Sequence, residues 1–168
     1  MLARQLTPAD LAAYRALHRF GLEEAPSAFV QTRADDAKIA DADIEAMLAR
    51  GEGWGVFEGE RLLGKLVIDA LPYACLAHTR WLHAIYLHPD ARGSGAGVAL
   101  MNAAMAHAQH EGAFRFLLWV NERNAAARGF YEKLGFREIG RVDKGIAAPE
   151  GGYVDDVLMC RSLSVPVT

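Results

Sequence analysis

Two near-continuous apolar runs, Trp81 to Leu87 and Phe114 to Val120, constrain this chain most, because of what lies between them. Strands apolar at successive positions are expected at the centre of a sheet, covered on both faces. The first run leads through His88-Pro89-Asp90-Ala91 into Arg92-Gly93-Ser94-Gly95-Ala96-Gly97. A helix is predicted from about Ser94 to Glu111, with Val98, Met101, Met105 and Ala108 on one face. Strand, glycine-rich turn, helix and strand form a βαβ unit, which places the turn at the end of a central strand.

Such a turn has a specific chemistry. Its backbone N–H groups can converge on an anion, and the helix that follows adds the positive end of its dipole. Glycines at alternate positions keep side chains away from a pyrophosphate, and Arg92 can add a charge-assisted contact. The dinucleotide pattern GxGxxG would require glycine where Val98 stands, and the GK[ST] of a phosphate loop is absent. Alone, three glycines also fit an ordinary surface turn.

The rest of the chain supplies a mixed set of elements. Residues 2 to 6 read as a strand, and Thr7-Pro8-Ala9-Asp10 opens a helix from about Ala9 to Gly21. In that helix Leu11, Tyr14, Leu17 and Phe20 are spaced for the core, with Arg15 and Arg19 on a solvent face. Glu24 to Phe29 breaks the pattern as a substrate-side loop, and Asp41 to Arg50 forms a second helix. Trp54 to Phe57 and Leu62 to Asp69 pair across Gly59, Asn124 to Leu134 is a helix closed by Gly135, and two strands follow, Phe136 to Val142 and Tyr153 to Leu163.

Length and charge limit the functional classes. A chain of 168 residues, 52% hydrophobic, buries one substantial core, so residues 1 to 168 are expected to form a single domain. A net charge of -3 provides no basic excess for a nucleic-acid backbone. Met1 precedes a polar stretch with no apolar leader, and no run is long enough to span a bilayer, which predicts a cytoplasmic protein with no membrane partner. Cys75 and Cys160 lack any ligand spacing and are expected as reduced thiols, and the histidines around His107 lack the HExxH order of a zinc helix; no metal is expected.

Two segments carry a resemblance. Ile85-Tyr86-Leu87-His88-Pro89-Asp90-Ala91-Arg92-Gly93-Ser94-Gly95-Ala96-Gly97 is similar to the signature of the GCN5-related N-acetyltransferase (GNAT) family, a hydrophobic strand followed by [Q/R]-x-x-G-x-[G/A]. Asn124 to Phe136 resembles that family's N-x(6)-Y-x-x-x-G-F segment, at the right distance downstream. The match covers residues 81 to 136. It implies an α/β fold with a mixed, mostly antiparallel sheet of six or seven strands, about four helices, and central strands splayed around the cosubstrate acetyl-coenzyme A.

The resemblance also implies site residues. The backbone of Ile85, Tyr86 and Leu87 would pair with the pantetheine arm, Arg92, Gly93, Ser94, Gly95, Ala96, Gly97 and Val98 would hold the pyrophosphate, and Asn124 and Tyr131 would flank the arm. Asn124 is equally a helix N-cap. Tyr131, two turns further on the same helix face, is favoured as the general acid, against a plain amphipathic core role. His83 is the candidate base, placed by strand parity with Ile85 and Leu87, although such a histidine can also be hydrogen-bonded core; Asp69, Glu122 or a water chain are alternatives. Trp119 stands where ribosomal-protein acetyltransferases carry a glutamate, which argues against that branch. Arg128 is expected to pair with Glu132, and the protein to be a monomer or homodimer. The implied activity is transfer of an acetyl group to a primary amine of a small molecule or protein. A non-catalytic coenzyme A or nucleotide sensor is the runner-up, and a structural protein the third reading.

Overall fold

A computed structural model describes residues 1–164 of the chain. Seven strands form one sheet in the order β1-β2-β3-β4-β5-β7-β6: β1 Leu2–Gln5, β2 Gly53–Glu58, β3 Arg61–Asp69, β4 Thr79–Leu87, β5 Arg115–Asn121, β6 Arg137–Ala147 and β7 Tyr153–Ser162. All pairings are antiparallel except β4 with β5. Five α-helices flank it: α1 Leu11–Glu24, α2 Arg33–Asp36, α3 Asp41–Ala49, α4 Ala96–His110 and α5 Ala125–Lys133. Tight turns come from positive-φ glycines where chain reversal needs them, as at Gly59 (φ 59°) between β2 and β3.

The core lies on both faces of the sheet. On one, Leu100, Met101, Ala104 and Met105 of α4 and Tyr131 of α5 pack on Val56, Leu66, Leu118 and Val157. On the other, Tyr14 and Leu17 of α1 and Ile44 and Leu48 of α3 pack on Phe57, Leu62, Val67 and Tyr86. Two helix faces differ from expectation. Arg15 is buried, because α2 and α3 cover that side of α1 and supply Asp36 and Asp41, each 2.9 Å from its guanidinium. Phe20 instead lies exposed, stacked on His88. Val98, in the first turn of α4, also projects outward rather than into the core.

The centre of the sheet opens. β4 and β5 pair in parallel only at Thr79–Trp81 with Arg115–Leu117. Just beyond, β4 carries a bulge: Lys65 opposes Tyr86 and Val67 opposes His83, so Leu66 faces both Ala84 and Ile85, and Ala84 adopts φ 51°. A bulge bends its strand and sharpens the twist, which swings the end of β4 away from β5. The alternation of faces is shifted too, so Leu82 packs under α4 while Tyr86 packs under α1. The expected cover on both faces of β5 is therefore half right. Leu118 and Val120 are buried, whereas Trp119, 41% exposed, and Asn121 line a cavity.

Candidate active site

The glycine turn leaves its backbone open to approach. Gly93 (φ 74°) and Gly95 (φ 86°) hold left-handed conformations, and a β-carbon added at either would meet nothing within 4 Å, so the backbone there stands open. Gly95 caps α4 and has no side chain to satisfy the first-turn N–H groups of Ala96, Gly97 and Val98. Only the Ser94 hydroxyl reaches back, accepting from the Ala96 N–H at 3.3 Å while donating to the Ala91 carbonyl at 2.7 Å. Gly97 has a separate reason to be glycine. A β-carbon there would lie 2.8 Å from Leu87 and 3.1 Å from Phe130, so its absence lets α4 sit against β4 and α5.

Arg92 is engaged within the chain. Its guanidinium grips Glu24 at the end of α1 through two bonds, 2.6 and 3.0 Å, and donates to the Leu87 carbonyl at 3.3 Å. The Tyr86 hydroxyl donates to the same carboxylate at 2.9 Å. Arg92 and Tyr86 thus tie α1 to the end of β4, and backbone N–H groups and the α4 dipole add positive field at the turn.

From this turn, the unpaired edges of β4 and β5 lead into a cavity of about 550 Å³. Ile85 and Leu87 turn their side chains to the α4 cluster, leaving main chain along the opening. Asn124 and Tyr131 both line the cavity. The Asn124 side chain accepts from the Ala127 N–H at 3.0 Å, so it does cap α5. Tyr131 packs against Phe130 and Phe136 and is 7% exposed. Burial pushes its phenol far above the usual tyrosine range, which keeps it protonated at any working pH.

His83 also lines the cavity, but not by parity with Ile85 and Leu87. Its cross-strand partner Val67 belongs to the α1 face, and the bulge at Ala84 intervenes before Ile85. Its Nε2 lies 3.0 Å from the Asp69 carboxylate, joining two of the residues that the sequence offered as separate bases. The third, Glu122, is held by Arg141 at 2.7 Å. Arg128 pairs with Glu138 of β6 at 3.3 Å, not with Glu132. Among the described residues no group of three or more potential metal ligands occurs.

Three titratable groups escaped sequence reasoning. Lys65 is completely buried in the middle of β3; its ammonium lies over the Tyr14 ring at 4.6 Å and donates to the Ala84 carbonyl at 3.0 Å, fixing the bulge. Burial lowers its pKa to about 7. His18 is 3% exposed, bonded through Nε2 to Gln31 while Nδ1 lacks a partner, and burial lowers its pKa to about 4. Asp156, on β7 opposite Asn121, lines the cavity with Oδ1 buried and unpaired, and desolvation raises its pKa. A lone Lys or Asp amid strand residues gives no sequence signal of this kind.

A strand pair splayed beside a glycine turn at a helix N-terminus defines a recognisable architecture. The model of the acetyltransferase (GNAT) family matches residues 13–136. The chain belongs to the GNAT acetyltransferase family. A phosphinothricin N-acetyltransferase of Alcaligenes faecalis is 31% identical across 94% of this chain and 78% of its own length. An uncharacterised N-acetyltransferase of Mycobacterium tuberculosis is 45% identical over 49% of this chain. The chain spans 51% of that relative and 25% of a similar protein from Methanocaldococcus jannaschii. Among solved structures, a GNAT-family acetyltransferase from Streptococcus pneumoniae superposes with a TM-score of 0.84 at 26% identity, covering 96% of this chain and 99% of that one. A Salmonella typhimurium protein described with its cofactor acetyl-CoA shares the fold, with a TM-score of 0.84 at 18% identity over 100% of this chain and 96% of that one.

Proposed function

We propose that this GNAT protein is an acetyl-coenzyme A-dependent N-acetyltransferase that acts on a primary amine. One observation carries the reading: the opening between β4 and β5 has the bare glycine turn at one end and a cavity of about 550 Å³ at the other. The site fits the group. Gly93 to Val98 present backbone N–H donors for a pyrophosphate, the free edge of Ile85 to Leu87 offers a ladder for an amide-bearing arm, and Asn124 closes the opposite side. A sensor would have no need of the chamber beyond the splay, which supports transfer over binding alone.

When bound, acetyl-coenzyme A supplies the acetyl group as a thioester. The chain's part is positioning and proton handling. An acceptor ammonium must shed a proton before it can attack, since amine pKa values lie at about 8 to 10. His83 is suited to take it: the Asp69 carboxylate accepts from Nε2–H, which leaves Nδ1 as the basic nitrogen. Tyr131 holds its proton against ionisation and delivers it to the departing sulfur. No covalent enzyme intermediate is required. Lys65 supports the site indirectly, by holding the Ala84 carbonyl so that the bulged backbone keeps its direction.

Replacing Tyr131 with Phe removes the donor and preserves the packing. Turnover of acetyl-coenzyme A with an accepted amine should fall on the order of a hundredfold, while coenzyme A affinity changes less than threefold. Unchanged turnover in Tyr131→Phe would remove the residue from the chemistry.

A further inference from the structure

The cavity's walls are charged in one sense only. Among the described residues that line it are Asp36, Asp43 and Asp156, and no lysine or arginine. The cations behind its walls are engaged elsewhere: Lys65 is completely buried, its ammonium over the Tyr14 ring and donating to the Ala84 carbonyl. Asp36 is already spoken for, held at 2.9 Å by both Arg15 and Arg19. Asp156 is different. Its neighbours Val120 and Val157 face the α4 core, so Asn121 and Asp156 share the cavity side of β5 and β7, and Oδ1 of Asp156 has no donor. The remaining walls are largely apolar, among them Phe29, Ile44, Met47, Trp81 and Trp119.

These features select among amines. A free amino acid would bring a carboxylate into a chamber without a cation to receive it, and burying an unpaired carboxylate is strongly unfavourable. A polyhydroxylated aminoglycoside would place hydroxyls against aromatic and aliphatic walls that offer few partners. An ammonium on an apolar body meets the opposite situation. With Asp43 exposed to solvent on α3, its charge finds at Asp156 a carboxylate with a buried oxygen that lacks a donor, and its body excludes water from Trp81 and Trp119.

We infer that the acceptor is an apolar or aromatic primary amine carrying no acid group, and that Asp156 receives its ammonium. This rests on the acetyltransferase reading above. It gives Asp156 a binding role, separate from proton removal by His83 and proton delivery by Tyr131.

Matched pairs that differ only by a carboxylate test it: 2-phenylethylamine against phenylalanine, tryptamine against tryptophan, and isoamylamine against leucine. Each is assayed with the full chain and acetyl-coenzyme A by release of free thiol, with the N-acetyl product confirmed by mass. At least one pair should show kcat/KM ten or more times higher for the member without the carboxylate, and none the reverse. Asp156→Asn should raise KM for that amine at least tenfold, leave coenzyme A affinity unchanged by calorimetry, and leave the melting curve intact. Equal or better use of the amino acids would overturn the inference while acetyl transfer stands. An unchanged KM in Asp156→Asn would remove the residue's role. Binding of acetyl-coenzyme A with no transfer to any of the six amines would overturn both this inference and the proposed activity.

Discussion

Lys65 offers the sharpest test of how the interior of this protein is built. Its ammonium is wholly buried, with one carbonyl and the rings of Tyr14 and Phe29 for company, and its pKa falls from 10.5 to about 7. The unfolded chain keeps this group protonated to well above pH 9, whereas the folded chain releases the proton near neutrality. Between those values the unfolded state binds more protons, so stability must rise with pH. Each unit of pKa difference is worth about 1.4 kcal/mol, and from pH 7 to about pH 9.5 the gain comes to about 3 kcal/mol. The window closes there because Tyr14 and Tyr86, pushed up to about 12 by burial, act in the opposite sense above pH 10. Urea unfolding followed by tryptophan fluorescence at several pH values would measure the rise. Lys65→Met keeps the volume, loses the bond to Ala84 and has no proton to release, so its profile should be flatter than the wild type's by about 3 kcal/mol across the window. Parallel profiles would mean that Lys65 is not titrating in the fold, and the account of the buried ammonium would be wrong.

Three other changes probe separate parts of the structure. His18 is buried neutral with its pKa lowered to about 4, so the wild type should lose stability as pH falls from 6.5 toward 4, by up to about 3 kcal/mol, and His18→Leu should remove that part of the acid limb in the same unfolding assay. Gly97→Val should cost about 1 to 3 kcal/mol, because its β-carbon would press on Leu87 and Phe130, and an unchanged melting temperature for this variant would contradict the packing argument; Gly95→Ala, with open space but φ 86°, should cost only the strain of about 1 to 2 kcal/mol, and an unchanged melting temperature there would contradict the left-handed conformation.

What could be read from the sequence was local chemistry. The glycine turn, the Asn124 cap and the helix that presents Tyr131 follow from short-range rules, and each stands in the fold near its expected place. The strand pairing across Gly59 did as well. What could not be read depends on partners distant in the chain. Arg15 looked solvent-facing on its helix until α2 and α3 brought Asp36 and Asp41 against it. The ion pair of Arg92 with Glu24, at the far end of α1, has no local signature either. His83 was assigned by alternation, and a single extra residue at Ala84 shifted every face beyond it. Asp156 carries no motif, and its place becomes visible only when β7 pairs with β5 beside the opening between β4 and β5.

The central claim is that the opening between β4 and β5, headed by the glycine turn, is the seat of acetyl-coenzyme A. A crystal structure of the protein soaked with coenzyme A tests it most directly. The account predicts pyrophosphate oxygens within hydrogen-bonding distance of the backbone N–H groups of Gly93 to Val98, with the pantetheine arm along Ile85 to Leu87 and the thiol pointing toward Tyr131. Coenzyme A bound elsewhere on the protein, or an arm that leaves the β4 edge unpaired, would contradict it.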